Sequence, residues 1–144
     1  DNYYFNNFQG GRSEQMNKKI VLIIDDEENF CKLVKKNIEK TGEYEVHIAT
    51  NGEDGIKLAR EIKPDLLLLD VVMPGMDGSD VASKIRDDQS IEDTPIVFLT
   101  AIVREEESSS QPSFTRGYSL LAKTVSVTEL MACIKENVRR CPRP

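Results

Sequence analysis

The chain is poor in the groups from which many enzymes and metal centres are built: its 144 residues include one histidine, three cysteines and no tryptophan. A single imidazole excludes His-rich metal sites and leaves His47 as the sole candidate base for a Ser-His or Cys-His hydrolase. His47 falls inside the apolar alternation Glu45-Val46-His47-Ile48-Ala49, which reads as a strand position without catalytic duty. Cys31, Cys133 and Cys141 lack CxxC spacing and are odd in number, so neither a zinc site nor a disulfide framework is indicated, and they read as reduced thiols of a cytoplasmic protein. No apolar run approaches the roughly 18 residues needed to cross a bilayer, and none has the shape of a secretory leader. Positive charge is also in deficit, with 19 Lys and Arg against 25 Asp and Glu and a formal net charge of −6. Without a concentrated basic patch, direct nucleic-acid binding by this domain is not expected, and cations and proteins are the expected partners.

What is present describes one globular domain. At this length a true core forms without staples, and 39% hydrophobic with 31% charged residues is neither a disordered nor a membrane composition. Residues 1–15, DNYYFNNFQGGRSEQ, follow neither the helical nor the strand period and are expected to be a leader or cloning remnant, with Tyr3, Tyr4, Phe5 and Phe8 as an alternative docking segment. The domain is expected over 16–140, and 141–144 as a tail or the start of a linker.

Strand and helix patterns alternate from Lys19 onward. Ile20 to Ile24 is a short apolar run of buried-strand type. Phe30, Leu33, Val34 and Ile38 then recur at helical spacing up to Gly42. Tyr44 to Ala49 is a second strand, followed by a helix from Asn51-Gly52 bearing Ile56, Ala59 and Ile62, which Pro64 ends. Leu66 to Leu69 has no alternation and so requires cover on both faces, as in the centre of a parallel sheet. Ser79 can cap a helix carrying Val81, Ala82 and Ile85. Pro95 to Leu99 and Leu120 to Ala122 are the fourth and fifth strands, the latter with a possible start at Tyr118. Ser126-Val127-Thr128-Glu129 is a capping box opening a last helix with Leu130, Ile134 and Val138 on its apolar side. The stretch from Arg104 to Arg116 is a poor helix, broken by Ser108 to Pro112. Such alternation, at about 26 residues per unit, implies right-handed crossovers and one parallel sheet with helices on both faces.

In that architecture ligands gather beyond the carboxyl ends of the strands. Strand one ends on Asp25-Asp26, strand three on Asp70, strand four on Thr100 and strand five on Lys123. Taken singly, these are ordinary cap, turn and surface residues. Three carboxylates from two strands, however, repel one another and need a compensating charge. A hard divalent cation with oxygen ligands supplies it, and Mg²⁺ suits a few carboxylates with waters. The same run, Asp25-Asp26-Glu27-Glu28, argues against a nucleotide or flavin site, where a glycine- or hydroxyl-rich loop offers amides to phosphate.

The set Asp25-Asp26, Asp70 with Met73-Pro74-Gly75-Met76-Asp77-Gly78, Thr100-Ala101 and Lys123, in this order and spacing, resembles the receiver domain of two-component response regulators over roughly Lys19 to Arg140. The resemblance implies a flavodoxin-like five-stranded parallel sheet of order 2-1-3-4-5. It implies that Asp70 takes a phosphoryl group from the phosphohistidine of a sensor histidine kinase and that the change is relayed to an unknown effector domain or target protein. It further implies that Asp26, Asp70 and the backbone carbonyl of Val72 bind Mg²⁺ directly, with Asp25 acting through water. Lys123 would pair with phosphoryl oxygens, and the Thr100 hydroxyl would hydrogen-bond one. Such a domain catalyses its own phosphorylation and slow dephosphorylation without being a conventional turnover enzyme.

Three features depart from the family pattern. Thr124 follows Lys123 where a proline after a cis bond is usual, so the Lys123–Thr124 bond is expected to be trans. Leu120 stands where a switching Tyr or Phe is common, so no aromatic rotamer at that position can carry activation. Ser108 to Pro112 weakens the fourth helical region. Val72 and Ile102, flanking the acceptor, offer no hydrogen bond to an attacking water, so slow loss of phosphate is expected. A pseudo-receiver that keeps the fold as a binding scaffold is the alternative reading. A Mg²⁺-dependent phosphohydrolase fits less well, since Val72 occupies the second position of its DxD motif.

Overall fold

The computed structural model describes residues 18–101, 115 and 117–140. The expected leader, Ile102, the weak stretch 104–116 apart from Thr115, Cys141 and the tail lie outside these residues. Five strands, β1 Lys19–Ile24, β2 Tyr44–Ala49, β3 Leu66–Asp70, β4 Ile96–Thr100 and β5 Ser119–Ala122, form one sheet. Their order is β2-β1-β3-β4-β5, and every neighbouring pair is parallel. Four helices are described: α1 Glu28–Glu39, α2 Gly52–Ile62, α3 Gly78–Arg86 and α4 Val127–Asn137. None of them is long and apolar enough to cross a membrane.

The leucine run of β3 is wholly buried because alternate residues enter two separate cores. Leu66 and Leu68 join Val21 and Ile23 of β1 under Cys31, Val34 and Ile38 of α1 and Leu130 and Ile134 of α4. Leu67 and Leu69 join Leu22 and Ile24 on the other face under Ile56 and Ala59 of α2 and Val81, Ala82 and Ile85 of α3. Helices on both faces thus make the absence of polar–apolar alternation a requirement of the central strands.

Several local expectations are corrected. The cap of α3 is Asp77, not Ser79: its carboxylate accepts the Ser79 and Asp80 amides at 3.0 and 3.2 Å, and Asp80 returns a bond to the Asp77 amide at 3.2 Å. A carboxylate at the cap serves the positive helix start better than a hydroxyl two positions further in. β4 runs one residue later than expected, since Pro95 has no amide to pair. Leu33 is exposed on α1, and Val138 is an extended cap residue beyond α4. The Ser126/Glu129 capping box opens α4 as expected.

At the pole where β3 begins, Asp65 is buried and accepts the Ile20 amide at 2.8 Å. Beyond α4, the Arg139 amide donates to the Asp65 carbonyl at 2.9 Å. The Arg139 guanidinium donates to both oxygens of Asp93, at 3.1 and 3.3 Å. The end of the last helix is therefore fastened to the amino-terminal edge of the central strand.

Candidate functional site

The opposite pole collects the strand-end residues. β1 runs directly into Asp25, whose amide continues the ladder by donating to the Ala49 carbonyl at 3.1 Å. Asp25 is fully buried, and its Oδ1 accepts the Glu27 amide at 2.9 Å, which turns the chain sharply into α1. Asp26 points to solvent. Asp70 is the last residue of β3 and is nearly buried, with the Val72 amide 3.4 Å from its Oδ1. Behind it the Met73–Gly78 loop folds back so that the Gly78 amide reaches the Val71 carbonyl at 3.0 Å. A side chain on Gly78 would bring its Cβ to 2.5 Å from the Asp70 carbonyl oxygen, so glycine is the residue this approach admits.

Carboxylate oxygens of Asp25, Asp26 and Asp70 all lie within 4.8 Å of one another. Lys123, just past β5, is held by its amide to the Thr100 carbonyl at 2.8 Å and brings its ammonium into the acidic group. Its Nζ is 2.7 Å from Asp25 Oδ2, 2.6 Å from Glu27 Oε1 and 3.4 Å from Asp70 Oδ2. At 2.7 Å from the ammonium, the buried Asp25 Oδ2 finds its counter-charge in Lys123. Thr100, half-buried, closes β4 beside Asp70. The sheet thus brings together Asp25, Asp26, Asp70 and Lys123, with Thr100 on the adjacent strand end. Val72 adds its backbone, its side chain being 75% exposed. No cis peptide occurs among the described residues, so Lys123–Thr124 is trans, as expected.

The electrostatics follow from this crowding. Burial, reinforced by the charge of Asp25, pushes the Asp70 carboxyl up to about 7, against the opposing pull of Lys123 and the Val72 amide. Burial works against the Lys123 ammonium, but its contacts with Asp25 and Glu27 and the charge of Asp70 outweigh it and raise its pKa. One ammonium faces four carboxylates. An all-oxygen donor set and surplus negative charge fit a hard divalent cation.

Two neighbours of Lys123 were not singled out from sequence. Glu27 is one, and Phe30 of α1, whose ring centroid lies 5.0 Å from the ammonium, is the other. Their sole signal was membership of the acidic run and of the first helical face. Cys31 donates its thiol to the Asp25 carbonyl at 3.4 Å, and burial together with the charge of Asp25 pushes it up to about 12, which makes it no nucleophile. His47 stays in β2 with Nε2 2.6 Å from Glu45 Oε2 and takes no part in the site.

The chain is similar to known proteins in sequence and fold. The family model described as response regulator receiver domain matches residues 21–135. The alkaline phosphatase synthesis transcriptional regulatory protein PhoP of Bacillus subtilis (strain 168) is 38% identical over 126 residues, covering 87% of this chain and 50% of its own length. The DNA-binding dual master transcriptional regulator RpaA of Synechocystis sp. is 35% identical over 124 residues, covering 85% of this chain and 50% of its own length. The chain therefore spans about half the length of these relatives. In fold, chemotaxis protein CheY4 of Vibrio cholerae superposes with a TM-score of 0.73 at 24% identity, over 84% of this chain and 99% of that one.

Proposed function

The chain belongs to the response regulator receiver domain family, and from that membership we propose that Asp70 accepts a phosphoryl group from a sensor histidine kinase in the cytoplasm and signals its charge to an effector domain or target protein. The observation that carries this reading is the place of Asp70, at the end of the central strand between the Asp25–Asp26 pair and Lys123. An Asp70 carboxylate oxygen attacks phosphorus; the new O–P bond forms as the N–P bond of phosphohistidine breaks, and the departing imidazole nitrogen takes up a proton. The leaving imidazole takes that proton from solvent and requires no acid from this chain. What it requires is a fixed acceptor and neutralisation of charge on the phosphoryl oxygens.

Lys123 would meet those oxygens, and the Thr100 hydroxyl would donate to one of them. Asp26, Asp70 and the Val72 carbonyl would hold Mg²⁺ directly, and Asp25 through water. When bound, the cation neutralises charge on the transferred group and on the acidic cluster itself. The acyl phosphate then adds a charge of roughly −2 and strong acceptors at one strand end, which biases a surface that partners read.

The test is labelling with acetyl phosphate, with and without Mg²⁺, followed by mass spectrometry. Asp70 is expected to be the sole labelled residue, only with the divalent cation, and Asp70→Asn to abolish the label. Label persisting in Asp70→Asn at the wild-type level would overturn the assignment, and no label under any condition would favour the pseudo-receiver scaffold.

A further inference from the structure

Lys123 is engaged before any phosphoryl group arrives. Its ammonium is 2.6 Å from Glu27 Oε1, in a hydrogen bond, and 3.4 Å from the acceptor Asp70. Glu27 is the cap residue of α1, yet its side chain makes no cap hydrogen bond to the helix start. A carboxylate there would ordinarily be drawn to the unpaired amides of the first turn. It turns instead to a lysine 96 residues away.

The two carboxylates that hold Lys123 most closely differ in freedom. Asp25 is fully buried and tied through Oδ1 to the Glu27 amide, so it cannot withdraw. Glu27 is 62% exposed and can swing into water, whereas Lys123 is only 11% exposed. Nor does Glu27 belong to the group of carboxylates that converge as metal ligands. Its one described side-chain partner is Lys123.

We propose that Glu27 is a positioning residue that holds Lys123 in a resting place and must release it when a phosphoryl group binds at Asp70. The proposal rests on Asp70 being the phosphoryl acceptor. A phosphoryl dianion beside Asp70 offers Lys123 a stronger, charge-assisted partner than an exposed carboxylate does. Glu27 is the contact that yields, and its loss is a cost charged to every incoming phosphodonor. It therefore raises the donor concentration needed, while leaving the transfer step itself unchanged.

The experiment compares the wild-type protein with Glu27→Gln and Glu28→Gln at saturating Mg²⁺. Glu28 is the control: it carries the same charge one residue away but pairs with Lys32 at 3.6 Å along the helix surface. Half-saturation and maximal rate of Asp70 labelling are measured with acetyl phosphate, and affinity is measured with beryllofluoride, which occupies the phosphoryl position without turnover. Glu27→Gln is expected to lower both the half-saturation and the beryllofluoride Kd by about two- to fivefold, the worth of an exposed ion pair, with maximal rate unchanged. Glu28→Gln is expected to match the wild type. No shift in Glu27→Gln, or an equal shift in both variants, overturns the inference. Absence of label at Asp70 in all three proteins would instead overturn the function on which it rests.

Discussion

Lys123 and Asp25, brought from β5 and β1 across two intervening strands, meet at 2.7 Å, closer than Lys123 comes to Asp70. The lysine expected to meet phosphate is thus also the counter-charge of a carboxylate that has no access to water.

Removing that ammonium leaves a buried acidic group uncompensated. Lys123→Met is expected to lower stability by about 3–5 kcal/mol at neutral pH without divalent cation, read as a fall in the urea midpoint at constant m. A loss below about 1 kcal/mol would show that solvent, rather than Lys123, balances Asp25.

Asp70→Asn should have the opposite effect. Because the Asp70 carboxyl is raised to about 7 in the folded protein from an ordinary 3.8, the fold binds a proton that the unfolded chain releases. Its contribution is complete below the unfolded value and is lost as pH rises through the folded one, by up to about 1.4 kcal/mol per pH unit. With chelator present, the variant is therefore expected to melt above the wild type at pH 8, and the difference to shrink toward pH 4. A pH-independent difference would assign the effect to packing instead of charge.

Gly78→Ala addresses the loop behind the acceptor. Its Cβ would stand 2.5 Å from the Asp70 carbonyl oxygen, a backbone atom that cannot rotate away. A destabilisation of about 1–3 kcal/mol is expected, together with slower labelling of Asp70 as the end of β3 shifts. Thermal melts and labelling rates matching the wild type would show that the loop relaxes without moving the strand.

The lifetime of the acyl phosphate should be governed beside Val72, whose exposed side chain offers water no hydrogen bond. Val72→Asn is expected to speed decay about tenfold by orienting the attacking water, as measured by loss of label over time. Equal decay in the two proteins would place control of that water elsewhere.

Much of the site could be read from sequence because a parallel sheet converts chain order into proximity. Asp25, Asp70, Thr100 and Lys123 each follow a strand run, and all such runs end at one pole. The four leucines of β3 likewise announced cover on both faces, and two cores supply it. The Glu27–Lys123 contact was hidden for a different reason: it depends on a side-chain direction at a helix cap, which carries no periodic signal. Leu33 misled because helical spacing admits it to the apolar stripe, but the helix turns it outward beside Lys32. Ser79 misled because a good capping residue lay two positions from a better one.

The fastening of Arg139 to Asp65 and Asp93 bears on geography. Asp65 and Asp70 bound the same strand, one at each end, roughly 16 Å apart at the rise of an extended chain. A polypeptide continuing beyond Arg140 would set out from the far pole, moored to the strand that carries Asp70. A phosphoryl group on Asp70 would stand at the opposite pole, so its effect on such a polypeptide would arrive as a displacement transmitted along or around the sheet. Arg139, as the last described anchor on that route, is where such movement would pass from the domain to the chain that follows.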